Sequence, residues 1–253
     1  NTLPWKRYQI FYGVLVPVII HDALLRLHKT PMTTRLRKVV SAQALVTGIF
    51  DDLFDRLHLP TTLIRNLMEA PEYIRSSDYI EEYLCQYLYR EMHEHFTGSK
   101  KLLEDSVQNI LYAQERSNQQ QSPQLSLDKI LEITRNKGAK AVIFYRSCID
   151  QAVVEDENEF LTDLGELFQM TNDINDALKD HADNELTFMT AGLSLKKIKE
   201  IFDRQITCTF DSYGSLPDDL YHKGNFFNRI NLIVARSLVT LDRYGRLADA
   251  EAP

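Results

Sequence analysis

Leu36, Val39, Val40, Ala44, Leu45 and Ile49 recur at helical spacing, and the run closes on Val46-Thr47-Gly48-Ile49-Phe50-Asp51-Asp52-Leu53-Phe54-Asp55-Arg56. A chain with this pattern must bury the apolar stripe of a helix spanning about 34–58, which ties the carboxylate end to a core. On a continuous α-helix Asp51 and Asp55 lie one turn apart on one face, with Asp52 beside them. Adjacent anions raise each other's pKa unless a cation lies between them. A hard divalent ion meets that need, because Mg²⁺ takes oxygen ligands, commonly one or two carboxylates together with substrate phosphates. A solvated acidic helix face carries the same pattern, so this stretch alone leaves both readings open.

A second acidic stretch lies 122 residues further on, counted from Asp51 to Asp173: Phe168-Gln169-Met170-Thr171-Asn172-Asp173-Ile174-Asn175-Asp176-Ala177-Leu178-Lys179-Asp180. It too follows an apolar run, on a helix expected over 159–181. Asn172, Asp176 and Asp180 recur at i, i+4, i+8, and Asp173 joins Asp176 and Asp180 at i, i+3, i+7. Either register makes one stripe of oxygen ligands. Two such helices facing across a cavity would hold several metal ions and a polyanion.

This pairing resembles the class I isoprenoid synthases, which comprise trans-prenyltransferases, terpene cyclases and squalene-synthase-like enzymes. Asp51-Asp52-Leu53-Phe54-Asp55 matches their first aspartate-rich motif. Phe168 to Asp176 matches the second prenyltransferase motif, with Asn172 in place of an acid. Asn172, Asp176 and Asp180 are also similar to the terpene cyclase triad. The resemblance covers roughly residues 20–245. It implies an all-α fold, a single class I isoprenoid synthase domain over 1–253 built as a helical bundle around a central cavity. It also implies three Mg²⁺ ions held by Asp51, Asp52, Asp55, Asn172, Asp173, Asp176 and Asp180, with Asp51, Asp52, Asp55, Asp173 and Asp176 catalytic. The substrate is then a prenyl diphosphate. Lys137, Lys140, Arg135 and Arg146 are the expected diphosphate contacts near a helix break at Asn136-Lys137-Gly138-Ala139-Lys140, and Arg243-Tyr244 resembles the terminal Arg-Tyr pair of microbial terpene cyclases. Lys137-Gly138 and the span Asp52–Arg56 are similar to elements of bacterial large-terpene synthases. The arginine pair that usually follows the first prenyltransferase motif is absent.

Composition agrees with a helical, well-packed chain: 253 residues, 44% hydrophobic, with 9 Gly and 8 Pro. The net charge of −7 and the lack of a long basic run argue against a nucleic-acid partner. Cys85, Cys148 and Cys208 have neither disulfide nor zinc spacing, so a reduced, cytoplasmic protein is expected. Ile10 to Ile20 is apolar but interrupted by Gly13 and Pro17. It reads as too short to span a bilayer, and no stable membrane insertion is expected.

Along the chain, helices are expected over 5–28, with a bend near Pro17, and in two or three pieces over 60–116. Tyr79, Tyr83, Tyr87, Leu84 and Leu88 form an aromatic-rich i, i+4 stripe expected in the core, or, as the resemblance implies, lining the pocket, where aromatic faces stabilise cations. His21 is expected as a core residue, and the basic residues Arg35, Arg37 and Lys38 on the surface. Ser117–Pro123 reads as a polar loop, and His181–Glu185 as a loop able to close over the site. Further helices are expected over 126–154, 194–212 and 225–247.

Three functions are compatible with this reading. In a terpene synthase the allylic cation cyclises or loses a proton. In a prenyltransferase a second diphosphate captures it. The third is a non-catalytic helical subunit of a heteromeric synthase. No DxDD is present, which argues against protonation-initiated cyclisation, and a homodimer is compatible with the family resemblance.

Overall fold

The computed structural model describes residues 6–69, 79–122, 124–219, 221–224 and 226–251. It is all-α, 79% helical, with no strand among the described residues. The chain divides into two compact units, residues 1–112 with 144–152 and residues 113–143 with 153–253. Two of the three divisions fall inside helices, α5 (Lys100–Ser117) and α6 (Leu127–Arg146), and the third lies after residue 152, ahead of the next helix.

The first unit opens with a helical run from Arg7 to Leu27. It consists of two wide π-helical stretches, Arg7–Leu15 and Pro17–His21, followed by α1, Asp22–Leu27. The Val16 N–H donates to the Phe11 carbonyl and the Asp22 N–H to the Pro17 carbonyl, both i→i+5. Pro17 stands at the first position of its stretch, where a missing N–H costs nothing. The run therefore continues through Gly13 and Pro17. Contrary to the expectation from Ile10–Ile20, its 21 residues are long and apolar enough to cross a membrane, although 44% of the apolar window is buried. Leu24, Leu25 and Leu27 are fully buried, each contributing about 2 kcal/mol of apolar transfer energy.

α2 (Thr34–Asp51) starts where the sequence signals it, with Thr33 Oγ1 accepting from the Leu36 N–H at 3.1 Å. Its buried stripe includes Val39, Val40, Ala44 and Ile49. The helix does not run on as α to residue 58. A π turn, Asp52–Arg56, takes over, closed by the Leu57 N–H donating to the Asp52 carbonyl at 2.9 Å. His58 then adopts a left-handed φ of 50° ahead of Pro60, which ends the element.

α3 (Thr61–Glu69) and α4 (Ile80–His95) follow, and α4 packs along α2. The tyrosine stripe expected in the core is instead exposed: Tyr79, Tyr83 and Tyr87 lie on the outer face of α4, with Tyr83 and Tyr87 stacked at 6.5 Å. The buried face carries Glu81, Glu82, Cys85, Gln86, Tyr89 and Met92. A polar inner face is possible because buried Glu81 of α4 meets the guanidinium of Arg56, described below.

In the second unit, α7 (Glu155–Ala182), α8 (Leu195–Ser215) and α9 (Phe226–Glu251) pack together. Ser194 Oγ caps α8 by accepting from the Lys197 N–H at 3.3 Å. The polar stretch after α5 is a 3₁₀ turn, Asn118–Gln121, that is tied down: Gln120 and Leu186 exchange backbone N–H and side-chain amide bonds, each 2.9 Å long. The break expected at Asn136–Lys140 is absent, and α6 is continuous. Gly138 serves packing instead. A Cβ there would collide with the Gly165 carbonyl, and a Cβ on Gly165 would collide with the Gly138 backbone. The two helices cross backbone against backbone.

Two outcomes follow. An alanine in a helix interior ordinarily gains about 1 kcal/mol over glycine; Gly138→Ala is expected to reverse that sign and lower the urea midpoint, because the Gly165 backbone has to move. His21 is fully buried against Tyr145, with ring centroids 4.7 Å apart, and burial pushes its pKa down to about 4 from 6.5. The folded state thus keeps His21 neutral where the unfolded chain binds a proton. Its contribution to stability is full above pH 6.5 and is lost as pH falls toward 4, about 3 kcal/mol in all. Denaturant titrations at pH 4.5 and 7.5 on wild type and His21→Gln are expected to show that much less pH dependence in the variant.

Candidate functional site

The sequence-selected acids fall into two constellations, one in each unit. In the first unit they meet the inner face of the N-terminal run. Gly48 makes this approach possible, since a Cβ there would overlap the Tyr12 ring. Asp52 is buried, and its Oδ1 accepts from Arg7 Nη1 at 3.1 Å. Its Oδ2 accepts from the Tyr8 hydroxyl in a short bond and from Arg56 Nη2 at 3.2 Å. Asp51 Oδ2 accepts from the Tyr12 hydroxyl at 2.9 Å and from Arg7 Nη2 at 3.3 Å. Arg56 Nη2 also donates to buried Glu81 on α4. Asp55, carried round by the π turn, is exposed.

The electrostatics are those of a neutralised cluster. Burial and Asp52 hold the Tyr8 hydroxyl well above its usual range, and burial and Asp51 do the same for Tyr12. Both therefore remain donors. Burial alone would favour loss of the Arg7 proton, but Tyr12, Asp51 and Asp52 outweigh it and raise its pKa. Burial is likewise outweighed at Arg56 by Glu81 and Asp52. As the residues stand, Asp51 and Asp52 do not fit a metal: two guanidiniums and two hydroxyls already take the positions a cation would use.

The second constellation is different. α7 presents Gln169, Asp173, Asp176 and Asp180 at i, i+4, i+7, i+11. Asp173 Oδ1 accepts from Gln169 Nε2 at 2.9 Å, while its Oδ2 is buried with no hydrogen-bond partner among the described residues. Burial pushes Asp173 up to about 7; Gln169 and Lys137 oppose this, and Glu185 and Asp176 add to it. Asp180 is pushed up to about 8 by burial and then by Glu185, Asp173 and Asp176. Glu185 reaches the cluster through the helix end. Asn184 takes a left-handed φ of 56°, its N–H donates to the His181 carbonyl at 3.3 Å, and the Glu185 N–H returns to the Asp180 carbonyl at 2.8 Å. This is a Schellman closure, and asparagine tolerates the left-handed position.

Lys137 is the cation that acts on Asp173, brought to α7 by the adjoining Gly138–Gly165 crossing. Tyr244 on α9 donates to the Ile174 carbonyl at 3.4 Å; burial, Asp176 and Asp180 raise its pKa. Four carboxylates thus influence one another, opposed by Lys137 at Asp173 and by Lys179 at Asp180, and one buried oxygen, Asp173 Oδ2, has no hydrogen-bond partner among the described residues. This donor set fits a divalent cation.

The remaining expected residues lie elsewhere. Asn172 and Arg243 are exposed, and Lys140 is half-buried. Arg146 belongs to the first unit and is fully buried, donating to the Ile149 carbonyl at 3.0 Å and the Gln151 carbonyl at 3.3 Å. Arg135, also among the expected diphosphate contacts, pairs instead with Asp163 at 2.9 Å and Glu166 at 2.6 Å. Glu91, Glu94 and His95 bring ligand atoms within 4.8 Å of one another, but Lys38 Nζ lies 3.2 Å from His95 Nε2 and supplies positive charge there.

Arg7, Tyr8, Tyr12 and Glu81 were not singled out from the sequence. Two tyrosines at i, i+4 inside an otherwise apolar run were the available signal for an inner face seeking polar partners. The chain matches no family model, no curated protein and no solved structure.

Removing the cation from the first constellation is expected to be costly. Arg7→Ala should destabilise the protein by about 1–2 kcal/mol in urea titrations. A double-mutant cycle with Asp52→Asn should return a coupling of about 1 kcal/mol.

Proposed function

We propose that the protein is a magnesium-dependent class I isoprenoid synthase, a terpene synthase that ionises an allylic prenyl diphosphate and releases diphosphate. The observation that carries this reading is the excess negative charge on α7, with Asp173 Oδ2 buried and unmatched. Buried carboxylates without enough cations are unfavourable in the free protein and become favourable when a divalent ion and a polyanion arrive together.

In this reading Asp173, Asp176 and Asp180 hold Mg²⁺, and Glu185 adds charge from the end of α7. When bound, the ion acts as a Lewis acid on the diphosphate and compensates the charge that grows as the C–O bond breaks. Gln169 orients Asp173 through its 2.9 Å bond. Lys137 offers a charge-assisted donor to a diphosphate oxygen, and the high pKa of Tyr244 keeps its hydroxyl a donor. Asp51, Asp52 and Asp55 enter no step, because Arg7, Tyr8 and Arg56 occupy the first two and Asp55 is exposed.

The hydrogen bond between Gln169 and Asp173 joins the residues that resemble the prenyltransferase motif, and it favours a second reading, in which isopentenyl diphosphate captures the allylic cation. Purified protein with Mg²⁺ and farnesyl, geranylgeranyl or longer prenyl diphosphates, each with and without isopentenyl diphosphate, separates the two by mass spectrometry of the extracts. Hydrocarbon or alcohol from a single diphosphate is the expected result. Product only with isopentenyl diphosphate, longer by one prenyl unit, establishes the second reading. No product in any mixture, unchanged by EDTA, overturns both in favour of a non-catalytic helical protein.

Asp173→Asn and Asp176→Asn are each expected to lower turnover about 100-fold and to weaken Mn²⁺ binding followed by electron paramagnetic resonance. Asp173→Asn should at the same time raise the melting temperature of the metal-free protein, because it removes an uncompensated buried charge.

A further inference from the structure

The N-terminal run has a second face that the acidic constellation does not use. Tyr8, Tyr12, Val16, Pro17 and His21 are buried on the inner side, against α2. Ile10, Phe11, Val14, Leu15 and Val18 recur at i, i+1, i+4, i+5, i+8 on the outer side and are 39–56% exposed. From Tyr8 to His21 the run carries no Asp, Glu, Lys or Arg. Five neighbouring large apolar side chains left in water are an expensive arrangement unless something covers them.

The charge of the segment that carries this helix indicates what that is. Residues 1–50 contain Lys6, Arg7, Arg26, Lys29, Arg35, Arg37 and Lys38 against one acid, Asp22, a net of +6. The whole chain is −7, so the other residues together carry −13. Arg7 is committed to Asp51 and Asp52, and Arg26 pairs with Asp22 at 2.8 Å; Lys6, Arg26, Lys29, Arg35, Arg37 and Lys38 all stand on exposed positions. An apolar ridge inside a locally basic segment of an acidic protein matches a lipid surface bearing anionic headgroups.

We propose that the outer face of the N-terminal run docks the protein on an anionic lipid bilayer, lying in the plane of the interface. The inner face argues for lying on the membrane and not through it. Spanning would pull Arg7, Tyr8 and Tyr12 away from Asp52 and Asp51 and leave Asp52 to Arg56. The inference does not rest on the proposed enzymatic function, because none of the five apolar side chains takes part in either acidic constellation.

Vesicle flotation of the full chain tests it, with phosphatidylcholine vesicles and with vesicles containing phosphatidylglycerol, at 0.1 and 0.5 M salt. Binding to the anionic vesicles at low salt is expected, reduced at high salt and weak to neutral vesicles. Ile10→Asp combined with Val14→Asp and Val18→Asp should lower the bound fraction at least about tenfold, with an unchanged far-UV circular dichroism spectrum. Lys6→Glu with Arg37→Glu, which leaves the apolar ridge intact, should lower it on anionic vesicles only. No binding to either vesicle, or binding indifferent to lipid charge and salt, overturns the proposal. So does a dimer in light scattering that the three aspartates dissociate, since a second copy would then cover the face.

Discussion

A carboxylate removed from water has to be met by a cation, by donors or by a proton, and the two halves of this chain answer that demand differently. In the first unit the answer is internal. Asp52 receives Arg7, Tyr8 and Arg56, and Glu81 shares Arg56. This network fastens the N-terminal run and α4 to the end of α2, and so holds three elements that apolar packing alone would leave free to slide. In the second unit Asp173 and Asp180 are buried beside Asp176 and Glu185, with Lys137 of α6 acting on Asp173 and Lys179 acting on Asp180. The deficit there is what the proposed metal ion and diphosphate would relieve.

Both constellations depend on glycines that remove a side chain at a crossing. Gly48 admits the ring of Tyr12, which lets a tyrosine from residue 12 reach a carboxylate at residue 51. Gly138 and Gly165 bring two helix backbones into contact and set the height at which Lys137 meets α7. In each case the small residue acts on charge placement through packing, and a single methyl group is enough to misalign it.

The all-α fold was legible because the apolar periodicity and the scarcity of breakers agree with one another, and the cap at Thr33 stands where α2 begins. The stripe on α7 was legible for the same reason: a helix converts spacing directly into a face, so Asp173, Asp176 and Asp180 share one however the rest packs. Elsewhere local pattern misled. Lys137-Gly138 read as a helix break because glycine is unfavourable in isolation, whereas the Gly165 backbone makes it necessary. Tyr79, Tyr83 and Tyr87 read as core because aromatic stripes usually are, whereas the inner face of α4 had to bring Glu81 to Arg56.

By itself, the order of residues determined where helices start, which side chains share a face, and that two acid-rich faces exist. These are short-range consequences of 3.6-residue periodicity and capping. Only the tertiary structure decided which acids are already neutralised. Arg7 and Asp52 are 45 residues apart, and Lys137 and Asp173 are 36 apart. Whether a buried carboxylate finds its counter-charge depends on which helix crosses it and at what height. That is set by close packing at residues such as Gly48, Gly138 and Gly165, whose partners lie far away along the chain.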